Sequence, residues 1–343
     1  MRVVPHMSPV PPDVMARAAA PGPAEAHERL AREALVLDEI EVRPAGPTGI
    51  PPAGAVRVAA WNLERCKHVE ASAALLARTG ASLSLLSEMD LGMARSSNRH
   101  TTRDLAAAWS PEAGYAFATE FVEIGLGNQT EAVVFAGQAN RHGLHGNGIV
   151  SRLPFRDPAV IRLEDDRGGS WWDLDWHHRR IGGRVALAAT VDLQGRPVRV
   201  VSAHLESLPG PERREEQARR IVADLDRTIG REGAALIGGD INSVTLPPGT
   251  GAAERSGWFT APEAYEGAFR VFAQAGFAWI PANTAEPTRR QLPNGWPKPP
   301  FGRLDWFFVR GLRASNPRVW PALDETGTPL SDHELVTVDI EPC

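Results

Sequence analysis

The sequence predicts an α/β protein, a four-layer α/β/β/α sandwich of two packed mixed sheets with outer helices. Three observations lead there. From Val56 onward, strand-like and helix-like segments alternate. Many of the strand candidates are continuous apolar runs, as expected for strands buried on both faces. About ten strand candidates stand against about four helix candidates, which is strand-rich for a single doubly wound sheet.

The elements follow in order. Residues 1–23 are rich in Pro and Ala and predict no regular structure. Residues 24–37 spell an amphipathic helix with Leu30, Ala34 and Leu37 on one face. A Pro/Gly break over 44–54 then separates residues 1–50, an N-terminal arm, from 51–343, one large domain. An intramolecular cap is the expectation for the arm; dimerisation or a loose tail are the alternatives. Strands are predicted at Val56–Trp61, Leu83–Leu86, Tyr115–Phe121, Glu131–Phe135, Gly148–Ser151, Arg184–Asp192, Val198–Ala203, Ala234–Gly238, Leu304–Val309 and Leu335–Ile340. Helices are predicted at His68–Arg78, Thr102–Trp109, Pro211–Thr228 and Pro262–Ala275. In the third, Pro211 suits a first helical turn and Ile221, Val222 and Leu225 mark the apolar side. Loops 162–183 and 243–261 are long enough to be functional or mobile.

Composition narrows the class. At 343 residues, 43% hydrophobic and 23% charged, the chain reads as a soluble globular protein. A net charge of -5 provides no global basic field for nonspecific nucleic-acid binding, although a local arginine patch is compatible with it. Two cysteines, Cys66 and Cys343, make neither a disulfide framework nor a four-thiolate zinc site, so a reducing compartment is expected. No apolar run approaches the roughly 20 residues that span a bilayer. The first residues lack the apolar core of a secretory signal. The expectation is a cytoplasmic protein, without stable membrane insertion or an evident protein partner.

Polar residues cluster at strand ends. Trp61-Asn62-Leu63-Glu64 places an amide and a carboxylate two residues apart, on one side of an extended chain. Such oxygens suit a hard divalent cation, though a plain surface role competes. Glu88 follows an apolar strand. Asn147 opens Gly146-Asn147-Gly148-Ile149-Val150-Ser151-Arg152-Leu153-Pro154, as a turn residue or as a group reaching into a cleft. His204 ends a further strand, either as a satisfied core ring or as a phosphate donor. In Gly238-Gly239-Asp240-Ile241-Asn242, paired glycines allow close approach while Asp240 and Asn242 share one side. There Asp240 suits proton acceptance from water, and Asn242 suits orienting it. Asp305 lies in a large apolar strand and needs a partner if buried. Ser331-Asp332-His333 supplies a histidine for it and a further acid.

The order of these fragments resembles the endonuclease/exonuclease/phosphatase superfamily: WNxE, strand-Glu, GNxIVSRxP, strand-His-Leu, GGDxN, LDW and SDH, across residues 61–333. The resemblance implies that residues 51–343 form a catalytic domain with its site at one edge of the paired sheets. It implies Mg2+ or Mn2+ surrounded by Asn62, Glu64, Glu88 and Asp332. His204 and Asn242 would bind the scissile phosphate and Asp240 would handle the water. His333, fixed by Asp305, would stabilise the charge that develops. The expected function is a metal-dependent phosphodiesterase acting on a phosphoester substrate, DNA or RNA foremost, with small or lipid phosphates as the alternative. A catalytically dead binding module is disfavoured, because no matching position is broken.

Two stretches are candidates for specificity. Arg95, Asn98, Arg99, His100 and Arg103 follow Glu88 and offer phosphate donors near the metal, or a solvated helix start. Trp171, Trp172, Trp176, His177, His178, Arg179 and Arg180 interleave rings with cations, as in a base-stacking surface, a membrane wedge or simple loop packing. The Arg213–Arg220 run reads as a solvated helix face, with Arg214 and Gln217 as candidates to turn inward.

Overall fold

The structure, a computed structural model, describes residues 1–20, 24–46, 54–164, 178–207, 210–247 and 257–343. Its strands are β1 (Arg2–Val4), β2 (Glu39–Arg43), β3 (Val56–Arg65), β4 (Leu83–Leu91), β5 (Gly114–Glu123), β6 (Leu144–Ser151) and β7 (Phe155–Arg162). They continue with β8 (Arg180–Gly182), β9 (Val185–Leu193), β10 (Arg196–His204), β11 (Ala235–Asp240), β12 (Asp305–Arg310), β13 (Leu312–Trp320) and β14 (Leu335–Pro342). The helices that matter here are α1 (Pro12–Ala19), α2 (Ala24–Glu33), α3 (Val69–Thr79), α4 (Thr101–Trp109), α5 (Gln129–Val134), α6 (Pro211–Ile229) and α7 (Gly267–Gln274).

Nine strands form one sheet in the order β1-β2-β5-β6-β4-β3-β14-β13, with β8 beside β5; the other five run β12-β11-β10-β9-β7. The two mixed sheets pack face to face. Val58, Ala60 and Leu85 meet Val200, Leu236 and Phe307 between them. The next residue along each small-sheet strand (Val201, Ile237, Phe308) points outward against Ile221, Leu225, Phe269 and Phe272 of α6 and α7. This alternation is why the strands read as unbroken apolar runs: both faces are covered. On the outer face of the large sheet, Leu75 and Leu76 of α3 and Leu105 of α4 pack with Trp61 and Phe117. The layers are therefore α/β/β/α, as expected. Among the described residues, no helix is long and apolar enough to cross a membrane.

The N-terminus differs from expectation. Residues 1–23 hold β1 and α1, and β1 pairs with β2, which pairs with β5. Val4, Met7, Val14, Ala18, Leu30 and Leu37 are buried in the outer core. The arm thus extends the large sheet as well as capping it. The predicted strand Glu131–Phe135 is instead the helix α5, because Asn128 and Glu131 form a reciprocal capping box that satisfies its first amides. The predicted Pro262–Ala275 helix is divided into a 3₁₀ turn, Pro262–Ala264, and α7. β1, β2, β7, β8 and β13 had no counterpart among the sequence candidates. β7 and β13 are edge strands that carry Pro158 and Pro317, where the missing N–H is tolerated.

Candidate active site

Register places the catalytic candidates side by side. At the ends of parallel β10 and β11, His204 lies opposite Asp240, and antiparallel β12 sets Asp305 opposite Asp240 in turn. On the large sheet, Asn62 lies opposite Ser87, one residue before Glu88. Both strands break register there, β3 between Asn62 and Arg65 and β4 between Leu86 and Met89. Glu64 (φ 43°), Arg65 (φ 76°) and Glu88 (φ 57°) take left-handed backbone at these irregularities. Such bulges turn side chains out of the pleat and commonly flank functional sites.

The two sheets meet at Asp240. Its Oδ2 accepts from Asn62 Nδ2 at 3.0 Å, and its Oδ1 accepts from the Asn242 amide at 2.8 Å. His333 Nε2 and His204 Nε2 lie 3.6 and 3.8 Å from the same Oδ2. Each imidazole is held from behind: His333 Nδ1 by Asp305 at 2.8 Å, and His204 Nδ1 by Glu120 at 3.2 Å. Arg184 Nη1 lies 2.8 Å from His204 Nδ1 and 3.4 Å from Glu120. Asp240, Asp305, His204 and His333 are all buried. Burial disfavours charge on His333, but Asp305, Asp240 and Asp332 outweigh it and raise its pKa to about 9. Burial likewise pushes Asp240 upward, but the two histidines, Asn62 and the Asn242 amide hold it below the usual carboxylate range.

A second group faces an adjoining cleft of about 480 Å3, lined by Glu64, Glu88 and Asp332 together with Arg65, Lys67, Asn128, Thr130 and Trp296. Asn62 joins it to Asp240 by donating to Glu88 Oε1 at 3.1 Å. Glu88 Oε2 makes no hydrogen bond, although the Arg65 guanidinium is ion-paired with it. Lys67 pairs with Glu64 at 2.8 Å and Arg289 with Asp332 at 2.9 Å. Three carboxylates on one cleft offer hard oxygens that fit a Mg2+-type ion, each charge-compensated by a neighbouring cation. The expected fourth ligand, Asn62, turns its Nδ2 towards Glu88, and its Oδ1 accepts from the Glu64 amide at 3.1 Å. The buried trio Asp240, Asp305 and His333 has ligand atoms within 4.8 Å of one another. The Asp305–His333 hydrogen bond and the Asn62 and Asn242 contacts of Asp240 already engage these groups, so they suit orientation and proton handling better than ion binding.

Several candidates lie elsewhere. Arg95 is fully buried and pairs with Asp90, Glu123 and Glu131, so its guanidinium does not face a substrate. Instead it holds Glu131, which lies 3.5 Å from Arg65. Asn98 ties its loop to Ala139 and Arg141, and Arg103 is exposed beside Asp104; both line a separate cleft with His6, His100 and His142. Asn147 sits inside β6 and donates to Val185 of the other sheet at 2.7 Å, a structural bridge and not a turn residue at the cleft. Asn242 is at the site, but its amide group donates to Leu205 at 2.9 Å. Trp176, with Trp171, Trp172 and His177, lies outside the described residues. Arg180 is buried against Glu123. Arg214 and Gln217 do turn inward, onto the backbone of Glu206.

Glu120, Arg184, Arg65 and Arg289 were not among the candidates. Glu120 carried one local signal, an acid inside the apolar run Tyr115–Phe121. The partners of the arginines are far away in sequence and left none.

The profile of the endonuclease/exonuclease/phosphatase family matches residues 59–333, and the chain belongs to that family. It is accordingly a phosphoester hydrolase by family. No curated protein sequence matches it. Solved structures share the fold. An endonuclease/exonuclease/phosphatase from Beutenbergia cavernae is 17% identical with a TM-score of 0.55, over 84% of this chain and 72% of that one. The catalytic domain of human Nocturnin, with bound sulfate, is 17% identical at 0.52, over 89% and 97%. A mannosyl-6-phosphatase from Bacteroides thetaiotaomicron is 14% identical at 0.53, over 83% and 99%.

Proposed function

We propose that this chain is a Mg2+- or Mn2+-dependent phosphodiesterase acting on nucleic acid. The observation that carries the reading is the convergence of two acid-backed imidazoles, Glu120–His204 and Asp305–His333, on Asp240, which Asn62 links to Glu88. Glu88, Glu64 and Asp332 would hold the ion, beside the Asn62 amide. When bound, it supplies Lewis-acid polarisation of a phosphoryl oxygen.

The rest falls to the protein's own groups. Asp240, kept ionised by its neighbours, orients the attacking water and accepts its proton. His333, protonated at neutral pH, donates to a phosphoryl oxygen as negative charge builds there. Asp305 holds that ring with Nδ1 as donor, leaving Nε2 for the substrate. His204 offers a second donor from the opposite side, steadied by Glu120 and Arg184.

Nucleic acid is favoured by the donors Arg65, Lys67, Asn128 and Thr130 along the cleft and by an aromatic ring at its rim. The cleft volume, about 480 Å3, also suits a small phosphoester, which is the second reading. A reducing, cytoplasmic setting accords with free Cys66 and Cys343. Mg2+-dependent release from single-stranded DNA, abasic duplex DNA, RNA and bis(p-nitrophenyl) phosphate ranks the two. Cleavage of a polynucleotide is expected; brisk turnover of the small ester with every polynucleotide intact would overturn the nucleic-acid assignment.

A further inference from the structure

The segment that follows Thr288 is fastened to the turn bearing Asp332 and His333. Arg290 N donates to Asp332 O at 2.8 Å, Glu334 N donates to Thr288 O at 2.7 Å, and Arg289 forms a β-bridge with His333. Side chains repeat the attachment, Arg289 to Asp332 at 2.9 Å and Arg290 to Glu334 at 2.7 Å. The chain then closes a tight turn. Leu292 N donates to Trp296 O and Gly295 N to Leu292 O, both at 2.9 Å, while Trp296 N donates to Asn294 Oδ1 at 3.0 Å. Gly295 supplies the left-handed residue this turn requires (φ 80°).

The backbone of Trp296 is therefore fixed with respect to His333, yet its indole is left in solvent. The residue is 63% exposed and lines the cleft of Glu64, Glu88 and Asp332. Among the described residues, the other large exposed apolar side chains do not line that cleft. Tryptophan is ordinarily well buried on average. A ring held by its backbone, largely exposed and set along a phosphoester site is a surface on which a flat group binds at little entropic cost.

We propose that Trp296 is a stacking platform for the nucleobase next to the scissile phosphate, and so a specificity-determining residue. The inference rests on the phosphodiesterase reading and deepens it by naming the group beside the phosphate. The specificity it confers is for a base-bearing phosphoester over a bare sugar phosphate, and not for one base over another, since every base offers a π-face.

The test is equilibrium binding, in the presence of Mg2+, of adenosine 5′-monophosphate and ribose 5-phosphate, which share the phosphorylated sugar and differ in carrying adenine or a hydroxyl at C1′. In the wild-type protein the nucleotide is expected to bind about 10-fold tighter or better, the scale of one stacked base. Trp296→Ala should bring the two dissociation constants together by weakening only the nucleotide, and Trp296→Phe should restore most of the difference. Persistence of the preference in Trp296→Ala, or its absence in the wild type, would overturn the platform while leaving the hydrolase reading intact. If ribose 5-phosphate itself fails to bind the wild type, the phosphoester site falls and the platform falls with it. Because the ring is exposed, its removal should leave the melting temperature unchanged, which separates lost stacking from lost folding.

Discussion

Asp240 receives an amide from Asn62, a backbone N–H from Asn242 and the approach of two imidazole Nε2 atoms, so no single contact defines it. That crowding makes its role depend on neighbours that are themselves held. His333→Ala removes the protonated donor, and turnover is expected to fall by at least about 10²-fold with the fold intact by circular dichroism. Glu120→Gln should lower turnover less, because His204 keeps its Arg184 contact; equal losses in the two variants would count against the unequal roles given to the two rings. At this scale, legibility followed locality. Asp240, Asp305 and His333 end or border apolar strands, so each was visible alone. Arg95 looked like a phosphate donor because it follows Glu88 closely; nearby Asp90 and the distant Glu123 and Glu131 decide otherwise.

Among elements, the paired irregularities of β3 and β4 aim Glu64 and Glu88 into the cleft, and nothing in the local apolar pattern announces a bulge. The capping box of α5 was present in the sequence as Asn128 and Glu131 but was outweighed by the strand-like run Ala132-Val133-Val134-Phe135; Val133 and Val134 are exposed on the helix that forms. The N-terminal arm joins the sheet through Glu41, which accepts from Met7 N at 2.8 Å and Tyr115 Oη at 2.7 Å and meets His100 Nε2 at 2.9 Å. Burial would raise the Glu41 pKa, but these partners lower it to about 2. The lowered value stabilises the docked arm above the ordinary value of 4.5, and that stability is lost as pH falls towards about 2. The protection factor of the Met7 amide, its exchange rate relative to an unstructured amide at the same pH, should fall across that window in the wild type and be already low at neutral pH in Glu41→Ala. Leu37→Ala, at a buried position between arm and sheet, should cost about 2–5 kcal/mol in chemical denaturation, whereas a near-zero cost would mean that the arm is not packed there.

The whole molecule reads as a scaffold that brings two sheet edges together, with Asn62 of one touching Asp240 of the other. The four-layer architecture was legible because doubly covered strands leave long apolar runs, and the family resemblance because its fragments keep their order. The added strands of the arm were not legible, since β1 and β2 are short and draw their apolar cover from the body. Charge acts at this scale as well. The carboxylates Glu64, Glu88, Glu131 and Asp332 at the cleft outnumber Arg65, Lys67 and Arg289, so the field there is negative and divalent ions should bind more weakly as ionic strength rises, as a titration by calorimetry at two salt concentrations would record.

The most direct trial of the account is the rate of phosphodiester hydrolysis, on polynucleotide and on bis(p-nitrophenyl) phosphate, for wild type and Asp240→Ala with Mg2+ and with EDTA. The expected result is metal-dependent turnover in the wild type, abolished by EDTA and reduced by at least about 10²-fold in the variant. Turnover that survives both chelation and loss of the Asp240 carboxylate would contradict a hydrolytic centre built where the two sheets meet.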